Sequence, residues 1–161
     1  MLIFSEPVES IKTPNFRVVL TFHERTKGRL RIMTEEGMDA GIQIERGQIL
    51  NDGQMIASEN GEVLEVLAKA ESVSVATAES ALLFARACYH VGNRHAEVQI
   101  GTHELIYLHD HVMDEMLRQL GLSVSAQKLP FQPEYGAYFA GGHSHSHDDE
   151  HSHTKSHDHH H

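Results

Sequence analysis

The spacing of apolar residues changes near residue 70, and this change limits the folds that the chain can adopt. Between Phe16 and Ala70 the apolar residues form short runs bounded by turn residues, a pattern typical of β-strands. The runs are FRVVLTF, RLRIMT, GIQIE, QMIAS and EVLEVLA. Turn signals such as Lys27-Gly28, NDG at 51–53 and Asn60-Gly61 suit tight reversals. We therefore expect antiparallel neighbouring strands in a small barrel or sandwich.

Helical spacing replaces this pattern in two later segments. Thr77 is expected to cap a first helix that stops at Gly92, and Asp110 to cap a second that stops at Gly121. The positions expected to face the core are Leu82, Leu83, Ala85, Ala87, Cys88 and Val91 in the first helix, and Val112, Met113, Met116, Leu117 and Leu120 in the second.

Strand-like segments at 72–77, 98–100, 104–108 and 122–129 complete the order β-α-β-β-α-β, which is the ferredoxin-like arrangement. The chain is thus predicted to be an α+β protein. An all-β domain is expected at 1–70 and a ferredoxin-like domain at 71–140. A disordered histidine-rich tail is expected at 141–161.

Charge and motif content exclude several classes of protein. The formal net charge of −10 over 161 residues argues against a nucleic-acid partner, because phosphate binding needs clustered basic residues. The most basic stretch alternates Arg25, Lys27, Arg29 and Arg31, which predicts a solvated side of an extended hairpin. A phosphate-binding loop, a GxSxG motif and an HExxH motif are all absent from the sequence, so no enzyme is indicated.

A single cysteine, Cys88, fits a reducing compartment and is expected to be a small buried thiol. The sequence has no run of eighteen apolar residues and begins without the pattern of a cleavable signal. We therefore expect a soluble cytoplasmic protein that does not enter a membrane.

The last 21 residues read GGHSHSHDDEHSHTKSHDHHH and contain no large apolar side chain, so they cannot form a core. An extended segment before them, with Phe131, Tyr135, Tyr138 and Phe139, is expected to dock on the surface. Neutral imidazoles are common ligands of transition metals, so the tail is predicted to bind divalent metal, with nickel, copper and zinc all suitable. Its candidate ligands are His143, His145, His147, His151, His153, His157, His159, His160 and His161. A purification tag limited to the last few residues and a pH-sensitive solubilising tail remain alternatives.

Four histidines in the second half of the chain are candidates for a site in the folded part. His95 follows the predicted end of the first helix, where its ring would be exposed. His109 and His111 flank Asp110, and two residues apart on an extended segment they would face the same side and could share an ion. The alternative is an ordinary helix start with two solvated imidazoles. His90 is expected to be partly buried and hydrogen-bonded, and surface roles are expected for His23 and His103.

Several motifs resemble those of one family, the UreE urease accessory proteins. They are GNRH at 92–95, LHDHVMDEMLRQLGLSV at 108–124 and LPFQPEYGAY at 129–138, followed by the histidine-rich run. The N-terminal half is similar in LTFHERTKGRLRI at 20–32, IERG at 44–47 and NDG at 51–53. The resemblance covers essentially the whole chain.

This resemblance implies a function and a set of site residues. It implies an N-terminal domain that contacts partner proteins and a C-terminal domain through which two chains form a homodimer. It also implies that His95 and its symmetry mate bind nickel between the subunits, with His109 and His111 as further ligands. Leu108 stands where a related sequence has another histidine. The implied role is delivery of Ni(II) to the urease apoprotein together with the GTPase of the accessory complex.

Two other functions are open on the sequence alone. The chain could be a store that sequesters nickel, copper or zinc without delivering it. It could also be a peptide-binding scaffold that acts through its β domain, with metal binding incidental. A tight metal site that depends on His95 would favour the metallochaperone over both alternatives.

Overall fold

A computed structural model describes residues 1–134 and shows two β-sheets that follow each other along the chain. The expected disorder of the tail and the expected docking of Tyr135, Tyr138 and Phe139 lie outside these residues. None of the helices within residues 1–134 has the length and apolar character needed to cross a membrane.

The first half forms a six-stranded sheet and one short helix. Its elements are β1 (Leu2–Pro7), β2 (Phe16–Leu20), α1 (Phe22–Arg25), β3 (Arg29–Met33), β4 (Asp39–Gln43), β5 (Met55–Ser58) and β6 (Val63–Ala68). The strand order is β2-β6-β5-β1-β4-β3. Alternate side chains of these strands, including Phe4, Val18, Ile42 and Leu64, form its buried core.

The prediction of antiparallel sequential neighbours is only partly right for this sheet. β3 with β4 and β5 with β6 are antiparallel pairs, as expected. β2, however, pairs in parallel with β6, and β1, which the sequence analysis did not identify, lies between β4 and β5 and is parallel to β4. Gly53 and Gly61 adopt the expected positive φ, of 78° and 82°, whereas Gly28 is not among the positive-φ glycines.

Arg25 corrects the prediction of a solvated basic face. Its side chain is buried, because α1 interrupts the extended segment that the alternating charges suggested. Thr21 and Glu24 form a capping box that starts this helix. The Arg25 guanidinium donates hydrogen bonds to the carbonyls of Leu50, at 3.1 Å, and Phe131, at 2.6 Å. It therefore joins the first half of the chain to the segment that follows the last strand.

The second half has the element order that the sequence predicted. Its elements are β7 (Ala70–Thr77), α2 (Ala81–Asn93), β8 (Gln99–Gly101), β9 (Glu104–Leu108), α3 (His111–Leu120) and β10 (Ser123–Pro130). All strand pairs are antiparallel, and the sheet order is β10-β7-β9-β8. The Asp110 cap and the Gly121 stop of α3 are confirmed, with Gly121 at φ 110°.

The helix ends and helix faces include further corrections. α2 is capped by Ser80 and not by Thr77, which lies in β7, and it runs past Gly92 to Asn93. Leu82, Ala85 and Val112 were expected to face the core but are exposed.

Side chains of the second sheet alternate between two buried clusters. Ala76, Leu105 and Tyr107 face α2 and α3. Val73 and Ile106 face the other way, where they cluster with Phe22 and Phe131. The rings of Phe22 and Phe131 meet edge to face with their centroids 5.8 Å apart. Phe131 is therefore fully buried, whereas the sequence suggested a segment docked on the surface.

Candidate functional site

His95 lies just beyond the C-terminal end of α2 and is exposed, as predicted. Its backbone N–H donates to the carbonyl of Gly92 at 3.0 Å, and its φ is 53°. This left-handed conformation was expected at Gly92 but belongs to the histidine, and it costs a residue with a Cβ roughly 1 kcal/mol. Strained backbone of this kind concentrates at functional sites. The end of α2 thus presents an imidazole to solvent on a strained backbone.

His109 lies in the link between β9 and α3, beside a buried polar group. Its Nδ1 is 3.2 Å from Oγ of Ser74 and 3.4 Å from Oδ2 of Asp114. The Tyr107 hydroxyl donates to the other oxygen of Asp114 at 2.6 Å. Ser74, Tyr107 and Asp114 are all buried, whereas about half of the His109 side chain is exposed. The ring therefore spans the boundary between a buried polar cluster and solvent.

The charges of this cluster follow from its hydrogen bonds. Burial raises the pKa of Asp114, but hydrogen bonds from Ser74 and Tyr107 outweigh it and hold the pKa below its ordinary value. Burial first, and then the bond to Asp114, raises the pKa of the Tyr107 hydroxyl far above its ordinary value. Tyr107 is consequently a neutral donor and Asp114 an ionised acceptor near neutral pH.

His111 has different surroundings although it stands only two residues away. It is the first residue of α3 and is exposed. Asp110 between them uses its carboxylate to accept from the backbone N–H groups of Val112, at 2.9 Å, and Met113, at 3.2 Å. The expected helix start is thus present, and whether His109 and His111 share an ion stays a prediction.

The remaining candidate residues lie at the edge of the core or on the surface. Cys88 is half-buried against the core of the second sheet, and burial raises the pKa of its thiol, which agrees with an unreactive side chain. His90 was expected to be partly buried but is exposed, beside Tyr89. His23 and His103 are exposed, and His23 lies 3.4 Å from the carboxylate of Glu97.

Within residues 1–134, no three His, Cys, Asp or Glu side chains are grouped so as to hold a metal ion. His95, His109 and His111 are therefore not brought together in a single-chain site of that kind. The nine histidines of the tail, His143, His145, His147, His151, His153, His157, His159, His160 and His161, lie outside the described residues.

Ser74, Tyr107 and Asp114 were not predicted as site residues. A signal for Asp114 was available, because it lies three residues before Leu117 on the buried stripe of α3. Tyr107 likewise shares a strand face with Leu105. Ser74 had no such signal, since a serine in an apolar strand is commonly only a small core residue.

Comparison with known proteins gives matches over both halves of the chain. The family model described as UreE urease accessory protein, N-terminal domain, matches residues 6–69, and the model for the C-terminal domain matches residues 71–161. A protein of Escherichia coli O157:H7 named urease accessory protein UreE is 44% identical over 149 residues, which cover 92% of this chain and 97% of that protein.

Relatives of the same name from other bacteria are similarly close. The protein of Alkalilimnicola ehrlichii is 45% identical over 86% of this chain and 85% of its own length. That of Teredinibacter turnerae is 47% identical over 79% of this chain and 83% of its own length. Because the family models together span nearly all of the chain and the relatives match at this level, the chain belongs to the UreE family of urease accessory proteins.

Proposed function

We propose that this protein is a nickel metallochaperone, which carries Ni(II) as its cargo to the urease apoprotein during maturation of the urease active site. Its relatives are named as urease accessory proteins. The accessory complex with its GTPase is the proposed partner that accepts the metal. The chain acts by binding and releasing an ion, and it performs no catalytic reaction of its own.

The observation that carries this proposal is the placement of His95. An imidazole that is exposed at a helix end, on a left-handed backbone, is well placed to be a ligand and contributes little to a core. A neutral imidazole suits Ni(II), and also Cu(II) and Zn(II), which we expect to compete for the same ligands.

We further propose that the metal is held between two copies of the chain. On α2, Leu82 is 63% exposed and Tyr89 is 66% exposed, and a spacing of seven residues places them on the same helix face. Ile100, five residues after His95, is 45% exposed, and Val112, next to His111, is 48% exposed. Apolar groups at this exposure are suited to a two-fold interface in which each copy supplies one His95.

A two-fold pair of imidazoles leaves most positions of an octahedral Ni(II) ion open. His109, His111 or the histidines of the tail would fill some of them, and water the rest. Ligands that can be replaced one at a time allow an ion to pass to a partner without being released into solution. A closed site with four cysteines would retain the metal instead.

We also propose that the second half of the chain is a ferredoxin-like domain. The sheet order β10-β7-β9-β8, with α2 and α3 on one face, supports a ferredoxin-like domain. We place the domain limits at 1–70 and 71–140, followed by a metal-collecting tail at 141–161, in a cytoplasmic protein.

The experiment that tests this function compares His95→Ala with His103→Ala. Both histidines are exposed and both have a positive φ, of 53° and 54°, and alanine keeps a Cβ at each position, so similar backbone strain remains in the two variants. We expect His95→Ala to abolish a tight nickel site of roughly one ion per dimer in calorimetric titration. We also expect it to slow urease activation at limiting nickel. His103→Ala should change neither, and equal effects of the two variants would disprove a role for His95.

The second candidate function is a store for divalent metal, and the nine histidines of residues 141–161 favour it. Removal of these residues distinguishes the two. A chaperone should still activate urease at ample nickel, because the interface site remains, whereas a store should lose most of its metal capacity and show no dependence of activation on His95.

A further inference from the structure

We infer that Asp114 and Ser74 are positioning residues that fix the tautomer of His109, so that its Nε2 carries the lone pair offered to the metal. This inference rests on the proposed function, because the tautomer of His109 matters for transfer only if His109 is a nickel ligand. It assigns a role to two buried residues that contact no metal themselves.

Asp114 lies beside the Nδ1 nitrogen of the His109 imidazole. Oδ2 lies 3.4 Å from Nδ1, and the Asp114 side chain is only 7% exposed. A lone pair on Nδ1 would face this ionised oxygen at close range and repel it. A proton on Nδ1 would instead be attracted to it, so the carboxylate favours the Nδ1–H tautomer.

Ser74 is the second group beside Nδ1 of His109. Its Oγ is 3.2 Å from Nδ1, and the residue is fully buried between the sheet and α3. Ser74 also lies beside Asp114, where its hydroxyl lowers the pKa of the carboxyl group. The hydroxyl proton can therefore go to the carboxylate while its oxygen accepts from Nδ1–H, which satisfies all three groups. The opposite tautomer would require the hydroxyl to leave the carboxylate.

The Asp114 carboxylate is held in place by a buried hydrogen bond. Tyr107 donates to its other oxygen at 2.6 Å, and Tyr107 is itself 1% exposed. This bond holds Oδ1, so the carboxylate keeps Oδ2 turned toward His109. Nδ1 therefore faces Ser74 and Asp114, and Nε2 is the ring nitrogen that remains for a metal.

His109 and His111 differ in the carboxylates that lie near them. His111 is exposed at the first position of α3, and the carboxylate nearest in sequence, Asp110, is occupied by the helix cap. An imidazole that donates a hydrogen bond from Nδ1 to a carboxylate is oriented before the metal binds. Its Nε2 is also a more basic ligand. The two histidines of the HDH sequence are therefore unequal, and His109 is the preorganised one.

The test uses the full chain, labelled with ¹⁵N at histidine and freed of metal with a chelator. Two-bond ¹H–¹⁵N correlation spectra report which ring nitrogen carries the proton, and the His109 signals are those lost in His109→Gln. We expect the wild-type ring as the Nδ1–H tautomer. An Nε2–H ring, or an even mixture, in the wild-type chain overturns the inference whether or not any variant folds.

Asp114→Asn sharpens the test, because an amide can keep the bond from Tyr107 while turning its NH₂ group, a donor, toward Nδ1. We expect this variant to switch His109 to the Nε2–H tautomer. Asp110→Asn is the matched control, since it removes the same charge one residue from His109 and asparagine still caps α3. The control should keep Nδ1–H. A switch in both variants, or in neither, contradicts the assignment of Asp114.

A second readout is nickel affinity, measured on the full chain by competition with a chelator. Loss of a partner that orients a histidine ligand typically weakens binding by about 10–100-fold. We expect a loss in this range for Asp114→Asn and no further loss when it is added to His109→Gln. Additive losses would mean that Asp114 acts on folding and not through His109. The tautomer is measured without metal, so it can have the expected form even if nickel delivery fails, and the two ideas fail separately.

Discussion

Replacement of Arg25 by alanine should strongly destabilise the protein, because this buried guanidinium joins its two halves. Nη1 donates to the carbonyl of Leu50 and to Oε1 of Gln132, at 3.1 and 2.8 Å, and Nη2 donates to the carbonyl of Phe131 at 2.6 Å. The guanidinium also lies 5.6 Å from the ring centroid of Phe22. Few side chains in residues 1–134 connect segments so distant in sequence.

The size of the loss can be estimated from these contacts. Two backbone carbonyls would lose their donor, and each unsatisfied acceptor that stays buried costs about 1–3 kcal/mol. The contact with Phe22 adds about 0.5–1 kcal/mol. Part of this is offset, because Nε has no hydrogen-bond partner and the buried charge is costly in the wild-type chain. The expected decrease in the free energy of unfolding is about 3–5 kcal/mol.

The assay is urea unfolding followed by far-ultraviolet circular dichroism, with chelator present so that metal does not stabilise the fold. Arg31→Ala is the control, because Arg31 is exposed and its partner Asp39 is an exposed carboxylate. The stability of Arg25→Lys should be intermediate, because an ammonium keeps the charge but cannot donate in the fixed planar geometry of the guanidinium. If Arg25→Ala cost no more than Arg31→Ala, the reasoning from burial would be refuted.

Three further results are expected. His95→Gly should be more stable than His95→Ala by about 0.5–1 kcal/mol in thermal unfolding, because only glycine adopts a φ of 53° without strain; equal stabilities would argue against strain there. The hydrogen bond from Arg31, and then its charge, holds the pKa of Asp39 below its ordinary value, so its contribution to stability is present above pH 3.8 and is lost as pH falls through the lowered pKa. Urea midpoints of the wild type and Asp39→Asn should therefore converge in acid, and a constant gap would refute this. Nickel affinity, measured by titration, should fall steeply between about pH 7 and 5 as imidazoles become protonated, whereas a flat profile would indicate carboxylate ligands.

The second half of the fold was predictable because its signals are local. Asp110 and Gly121 mark the ends of α3 through their own side chain and backbone, and the strands on either side are close in sequence. The first half was harder, because two of its strand pairs, β2 with β6 and β1 with β4, are parallel. Parallel strands are not joined by a tight turn, so no turn residue in the sequence indicates that they pair.

Arg25 shows how a regular pattern can mislead. Its alternation with Lys27 suggested a strand, yet the Thr21-x-x-Glu24 capping box was visible in the sequence and indicates a helix start at that point. The capping signal prevails because it satisfies backbone N–H groups directly, whereas alternating charges only indicate solvent exposure. The burial of the side chain then depends on Phe131, more than a hundred residues away.

The candidate histidines could be identified from the sequence, but the differences between their surroundings could not. His109 and His111 are arranged symmetrically around Asp110, so the local sequence gives no reason to distinguish them. The distinction comes from Ser74, contributed by β7, and from Asp114, one helical turn further along α3. Because β7 lies 35 residues earlier in the chain, only the tertiary fold brings its hydroxyl to the ring. If His109 is the preorganised ligand and His111 is free, a partner should displace His111 first, since less ordering holds it in place.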